Sequence, residues 1–421
     1  MKSAKRIAIL TTSRSDFGLL LPVIRHAVTR FSVDLLVSGA HFFGGQQASL
    51  HEIEAARQQM PLLNVVPFDI AIDATTAEQQ VAAVAAMQLA ASHWFASQPP
   101  DLLLFLGDRW ELWGVTLPAF LHGIPLAHIS GGEVTEGVID DSVRHAHSKL
   151  ASLHFAAAAA YARNLSSMGE EDWRISVVGE CGLDVIHQAD IASDAEIQQQ
   201  FGVDLTRDTL LVTYHPSTLE SATPVAMQIH SLLAALQEFP ELQIVFTSPA
   251  AEQGADIVLA AIQGFVQQHD NSRLVPHFGR RNYLAVMRRT RAVVGNSSSG
   301  IVEAASFGVP ALNIGARQQN RLAAESVLHL PYVASEIAAG LRQVLAAPFQ
   351  VFARQCPNPY DPFLDGNNAL RIVQAIDHAL ERYSCEQLRR KRFDTTLHAD
   401  DWNSLLGGLE KTGFLSETRR E

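Results

Sequence analysis

The stretch RAVVGNSSSGIVEAASFGVPALNIGARQQNR, residues 291–321, decides the fold. An apolar run ends at Gly295. Asn296, Ser297, Ser298, Ser299 and Gly300 follow and lead into a helix-like stretch. A second apolar run, VPALNIG, comes next and is followed by Arg317 and Arg321. Strand, turn, helix, strand is the βαβ unit from which parallel sheets are built. The turn is also chemically rich. Three hydroxyls and the free N–H groups of a helix start form a cradle for a diphosphate. Glu303, one turn into the helix, is placed to accept ribose hydroxyls. A plain N-cap needs only one serine, and the Gly-Lys-Ser/Thr ending of a Walker loop is missing.

The same alternation extends outward in both directions. Upstream in this half lie TLLVTYH, LQIVFTS and SRLVPHF. The N-terminal half repeats the pattern with RIAILTT, VDLLVSG, LNVVPF, DLLLFLG, IPLAHIS, LHFA and ISVVG. Several of these runs are apolar at every position, as strands covered on both faces are. Helix-length stretches such as AEQQVAAVAAMQLAASHWFAS fall between them. The polar stretch ADIASDAEIQQQFGVDLTRD separates two α/β halves, so the expected division is 1–190, 191–365 and a C-terminal helix and tail at 366–421. The tail after Ser384 reads as a solvated terminus. Two such halves leave a crevice at their strand C-terminal ends, the usual ligand site of open α/β sheets.

Composition narrows the function. The chain has 421 residues, 47% apolar and 18% charged, which fits well-buried globular domains. A formal net charge of −12 argues against a broad nucleic-acid face while allowing a local arginine pocket. The three cysteines are scattered without metal spacing. The N-terminus lacks the long apolar region of a signal peptide, and no run is long and apolar enough to span a bilayer. The expectation is therefore a soluble, cytoplasmic protein without membrane or nucleic-acid partners.

Four further post-strand segments carry titratable groups. TTSRSDFG offers Arg14 at a helix start, although Ser15 or Asp16 could simply cap that helix. GDRWE closes a strand with Asp108, and Asp108-x-x-Glu111 is close to a capping box. HISGGEVTEGVIDDSVRH holds Glu133, Glu136, Asp140, Asp141, Arg144 and His145, with Gly131 and Gly132 leaving room for close approach. Asp140 or Asp141 could cap the following helix. Arg144 and His147 share a helix face, whereas His145 and His147 do not. The spacing of four that a helical zinc pair requires is absent, so no metal is expected. HPST places His215 after a strand of the second half. The dinucleotide glycine fingerprint is missing after the first strand, so NAD is not expected.

Taken in order, TTSRSDFG, GDRWE, HISGGEVTEGVIDDSVRHAHSKL, HPST and GNSSSGIVEAASFGVPALNIGARQQNR resemble the hydrolysing UDP-N-acetylglucosamine 2-epimerases that open sialic-acid pathways. The resemblance implies the GT-B architecture: two Rossmann-like domains facing each other across a central cleft, UDP held mainly by the second. It implies catalytic roles for Asp108, Glu133, Asp140 and His215. It implies UDP contacts from Arg14, Asn296, Ser297, Ser298, Ser299, Gly300 and Glu303. His41, Asp141, Arg144, Arg317 and Arg321 become supporting residues. Asp140 is preferred to Asp141 because it lies four residues before Arg144, as the family's acidic residue does. The implied reaction removes the C2 proton as UDP leaves C1, giving a glycal. Water then adds with inversion at C2 and releases N-acetylmannosamine. No cofactor is implied, and a homodimer is. One departure concerns the sugar: His41 is kept, but the Tyr-Gly-Asn that often follows it is not. The same chemistry on a UDP-2,4-diacetamido-2,4,6-trideoxyhexose, a GT-B glycosyltransferase, and a nucleotide-sugar-binding regulator are the alternatives.

Overall fold

The computed structural model describes residues 5–42, 47–70, 76–135, 139–187, 191–217, 223–249 and 253–393. The first sheet contains β1 (Arg6–Thr11), β2 (Ser32–Val37), β3 (Leu63–Pro67), β4 (Leu102–Leu106), β5 (Leu126–Ile129), β6 (Leu153–Ala156) and β7 (Ile175–Val177). The second contains β8 (Thr209–Thr213), β9 (Gln243–Thr247), β10 (Ser272–Val275), β11 (Ala292–Gly295), β12 (Ala311–Ile314) and β13 (Val327–Leu330). Their orders are β3-β2-β1-β4-β5-β6-β7 and β10-β9-β8-β11-β12-β13. Neighbouring strands are parallel in both sheets. This is the GT-B architecture of two doubly wound domains. Each sheet reverses its winding once, between β1 and β4 and between β8 and β11. Ligands of open α/β sheets bind at these reversals because the outgoing loops diverge there.

Alternation along β1 shows why the strands are apolar throughout. Ile7 and Ile9 pack under helices Arg14–Ala27 and Asn368–Arg382, while Ala8 and Leu10 pack under helices Ala77–Ser97 and Trp113–Leu121. β13 was not foreseen in the sequence. It is an edge strand with one fully buried residue, Val327, so it lacks the apolar signature of its neighbours.

The C-terminal region departs from expectation as well. Helix Asn368–Arg382 belongs to the core of the first sheet: Ala369, Ile372, Val373 and Ile376 join Leu20 and Ile24 there. The chain therefore crosses back over the cleft. Beyond Ser384 it is docked as far as residue 393, not a solvated terminus. Buried Arg174 donates to the carbonyls of Leu388 and Arg390 at 2.8 and 2.9 Å, and Lys391 reaches Glu170 at 2.5 Å. Sequence periodicity missed this docking because a single apolar anchor, Leu388, and several polar ones hold it. Among the described residues no helix is long and apolar enough to cross a membrane.

Candidate active site

In the first domain, the loops after β4 and β5 converge. Asp108 follows β4 by way of Gly107, whose φ is +82°. It is ion-paired with Arg144, a side chain 4% exposed in the middle of helix Ile139–Leu150. The capping-box alternative for Asp108 is not realised: Arg109 stands at the helix start without a side-chain cap, and Glu111 is buried against Arg109. Burial pushes Asp108 up to about 6. Arg144 pulls the other way, and the charges of Asp140 and Glu133 push further up.

Glu133 ends the turn Ser130–Gly131–Gly132. A Cβ on Gly132, at φ +77°, would lie 2.4 Å from the Tyr161 carbonyl oxygen, so only glycine fits. Glu133 is buried and meets Arg321 of the second domain at 2.9 Å. The two aspartates separate in their surroundings. Asp141 accepts the Thr135 N–H at 2.6 Å and faces His145 at 3.5 Å. Asp140 lies near enough to Asp108 and Arg109 for its charge to act on both. Neither is the N-cap, since both stand inside the first helical turn. Glu136 lies outside the described residues.

In the second domain, Asn296 bridges the β8–β11 reversal. Its Oδ1 accepts the His215 N–H at 2.7 Å, and its Nδ2 donates to the His215 carbonyl at 2.8 Å. Gly295 permits this closeness: a Cβ there would sit 2.0 Å from the Thr213 carbonyl oxygen. Burial, with the charge of Arg317, lowers His215 to about 4, so the imidazole is neutral at pH 7. Ser297 caps the following helix, accepting from Ser299 N–H at 3.4 Å, and Tyr283 meets the Ser299 hydroxyl at 2.7 Å. That helix, Ser298–Val302, is shorter than expected and passes into a 3₁₀ turn. Glu303 therefore stands at its C-terminal end instead of within it. Arg280 donates to Glu303 at 2.9 Å and also to the Gly182 carbonyl across the cleft. Arg317 and Gln318 both reach the Asn296 carbonyl, at 3.5 and 3.1 Å.

Two expected residues stand apart from this cluster or only support it. Arg14 pairs with Glu52 at the surface, and the helix cap is Ser13, not Ser15 or Asp16. His41 is buried with both ring nitrogens engaged, by Thr11 at 2.9 Å and Ser49 at 3.0 Å. Burial lowers it to about 4, which suits a strut more than a proton carrier. His147, which shares Arg144's helix, is a core residue, bonded to Thr116 at 2.9 Å and packed on Trp113. Sequence reasoning missed Arg109, Arg280 and Glu180, although each stands just after a strand, where chemistry was expected. It also missed Tyr161 and Tyr360, whose hydroxyls meet at 2.6 Å beside Glu133 and Arg321. Nothing local marks those tyrosines, since they lie far apart in the chain.

The Nε groups of Arg109, Arg144, Arg280 and Arg321 are buried without a hydrogen-bond partner. Buried donors left unpaired are costly. Among the described residues no group of His, Cys, Asp or Glu is arranged to hold a metal ion.

Two Rossmann-like domains, with carboxylates on one side of the cleft and a serine turn with arginines on the other, define a nucleotide-sugar enzyme of GT-B type. Residues 25–377 match the UDP-N-acetylglucosamine 2-epimerase family, and the chain belongs to the hydrolysing members of that family. It is 31% identical to a hydrolysing UDP-N,N'-diacetylbacillosamine 2-epimerase of Legionella pneumophila, over 82% of this chain and 90% of that one. It is 28% identical to a UDP-N-acetylglucosamine 2-epimerase of Neisseria meningitidis, over 80% of this chain and 87% of that one. A crystal structure of UDP-GlcNAc 2-epimerase from Neisseria meningitidis, bound to UDP-GlcNAc, shares the fold with a TM-score of 0.68 at 17% identity, covering 89% of this chain and all of that one.

Proposed function

We propose that the protein hydrolyses UDP-N-acetylglucosamine to UDP and N-acetylmannosamine, with inversion at C2. The observation that carries this reading is the Glu133–Arg321 contact. It brings the carboxylate loops of one domain against the second domain beside its serine turn. C2 has no adjacent carbonyl, so its proton is weakly acidic. Departure of UDP and positive charge developing at C1 supply the driving force. That chemistry needs anion stabilisation at the diphosphate and carboxylates near C1 and C2. Ser297, Ser298, Ser299, neutral His215 and Arg317 serve the first need, and Glu303 takes the ribose. Asp108, Glu133 and Asp140 serve the second. Asp108, raised to about 6, is suited to exchange protons near neutral pH.

A second reading keeps the chemistry and changes the sugar to UDP-N,N'-diacetylbacillosamine. It is favoured by the name of the Legionella relative and by the altered segment after His41. Incubation of the protein with each sugar nucleotide in heavy water, followed by NMR, tests both readings. Free UDP with a C2-deuterated product epimeric at C2 is expected. UDP release only in the presence of an acceptor would indicate a transferase instead.

Ser298→Ala and Glu303→Ala should each weaken UDP binding about tenfold, a loss typical of one or two charge-assisted hydrogen bonds. Calorimetric affinity equal to that of the parent would refute this placement. A homodimer is also proposed, through the helices that expose Leu89 and Leu121, 66% and 75% accessible. Sedimentation at the mass of a single 45.9 kDa chain would rule it out.

A further inference from the structure

Glu180, just after β7, is a carboxyl group with no part in the chemistry above. Its Oε1 accepts the Gly182 N–H at 3.2 Å and the Cys181 thiol at 3.6 Å. Its Oε2 meets the Ser130 hydroxyl at 3.4 Å. Its backbone is pinned too: the N–H donates to the Tyr360 carbonyl at 2.8 Å, and its carbonyl accepts from Asn368 at 3.1 Å. Ser130 is the residue on which β5 turns toward Glu133. It is buried, and its φ of +62° is one of only three left-handed values among the described non-glycine residues. Such a conformation persists only where its surroundings hold it.

We propose that Glu180 is a positioning residue for Glu133: by holding Ser130 in its left-handed turn it sets how Glu133 enters the cleft. This rests on the reading of Glu133 as a reacting carboxylate. The charge state of Glu180 fits the task. Burial, and then the charge of Glu133, push it up to about 7, against the Gly182 N–H, Arg280 and Cys181. Below about pH 7 it is mainly the neutral acid, whose O–H donates to the Ser130 Oγ, and it adds no charge beside Glu133. Above that pH it ionises, and a second negative charge opposes an anionic nucleotide sugar.

The test compares Glu180→Gln and Glu180→Ala with the parent, all as full chains. Gln keeps a polar partner for the Ser130 Oγ, its amide N–H standing in for the acid's O–H, and cannot ionise. Below pH 6 its kcat/KM should match the parent. By pH 8.5 it should exceed the parent about fivefold, the effect of one nearby charge near a protein surface. Ala loses that partner, and kcat should fall about tenfold with UDP affinity unchanged. Rescue by Gln separates positioning from mere folding. An independent readout is carbon-13 NMR of glutamate-labelled protein. The carboxyl signal that disappears in Glu180→Gln should titrate near pH 7, and at lower pH in Glu133→Gln. Titration below pH 5, indifference to Glu133→Gln, or an Ala variant with parental kcat would each overturn the proposal. If the parent turns over neither sugar, the functional reading fails, while the NMR titration still decides the Glu180–Glu133 coupling.

Discussion

Glu133→Gln should lower kcat by about a hundredfold or more, the range for loss of a positioned acid or base, while UDP binds as before. The substitution is isosteric, and the amide oxygen still accepts from Arg321, which stands 2.9 Å from the carboxylate. What disappears is the charge and the ability to take or give a proton. Glu133 is 3% exposed, so the surrounding structure leaves little room for bulk water to take over that work. Glu133→Ala would be a poorer test, since it leaves Arg321 buried without its partner, a change that destabilises on its own account. Turnover is read from UDP release and affinity from calorimetry. Near-parental turnover would remove Glu133 from the chemistry. Lost UDP binding would mean that its main contribution is to hold the two domains together.

The second large effect is expected at Arg144→Met. Arg144 pairs with Asp108 and donates to the Thr135 hydroxyl at 2.6 Å. It is a favourable charge offsetting the burial that raises Asp108 to about 6. Without it, burial and the charges of Asp140 and Glu133 are opposed only by the smaller effect of Arg321, and Asp108 rises further. If the ionised form of Asp108 is the working one, the acidic limb of kcat/KM lies near pH 6 in the parent. It should move up by about one to two pH units in the variant, the size of a lost close ion pair. Turnover at pH 7 should fall about two- to tenfold and recover in part at pH 8.5. Arg144→Lys, which keeps the charge, should leave the limb within about half a unit. Asp108→Asn should abolish it. A limb that stays in place in Arg144→Met assigns the ionisation to another group. Unfolding temperatures of the variants separate this from misfolding.

Both effects draw on residues whose neighbourhood was legible only in part. The strand ends were legible: runs such as LLLFL and AVVG are apolar at every position because helices cover both faces of each sheet. Thus Asp108, Glu133, His215 and Asn296 were located as post-strand residues, and the motif order carried the family. Arg14 and Glu303 show the limit. A position at a helix start is a local property, but the partner found there is not: Arg14 turns out to Glu52, and Glu303 meets Arg280 after a helix shorter than its pattern suggested.

The residues alone determined the alternation of strand and helix, the two-domain architecture and the family, because each rests on local periodicity or on short ordered motifs. The tertiary structure alone decided which groups meet. Arg321 reaches Glu133 across 188 positions, and Tyr161 meets Tyr360 across 199. Helix Asn368–Arg382 returns to the first domain, and Glu180 lies against the turn that leads to Glu133. Such pairings arise where two sheets reverse their winding and face each other, and burial there, which no single segment encodes, sets the charge each group carries.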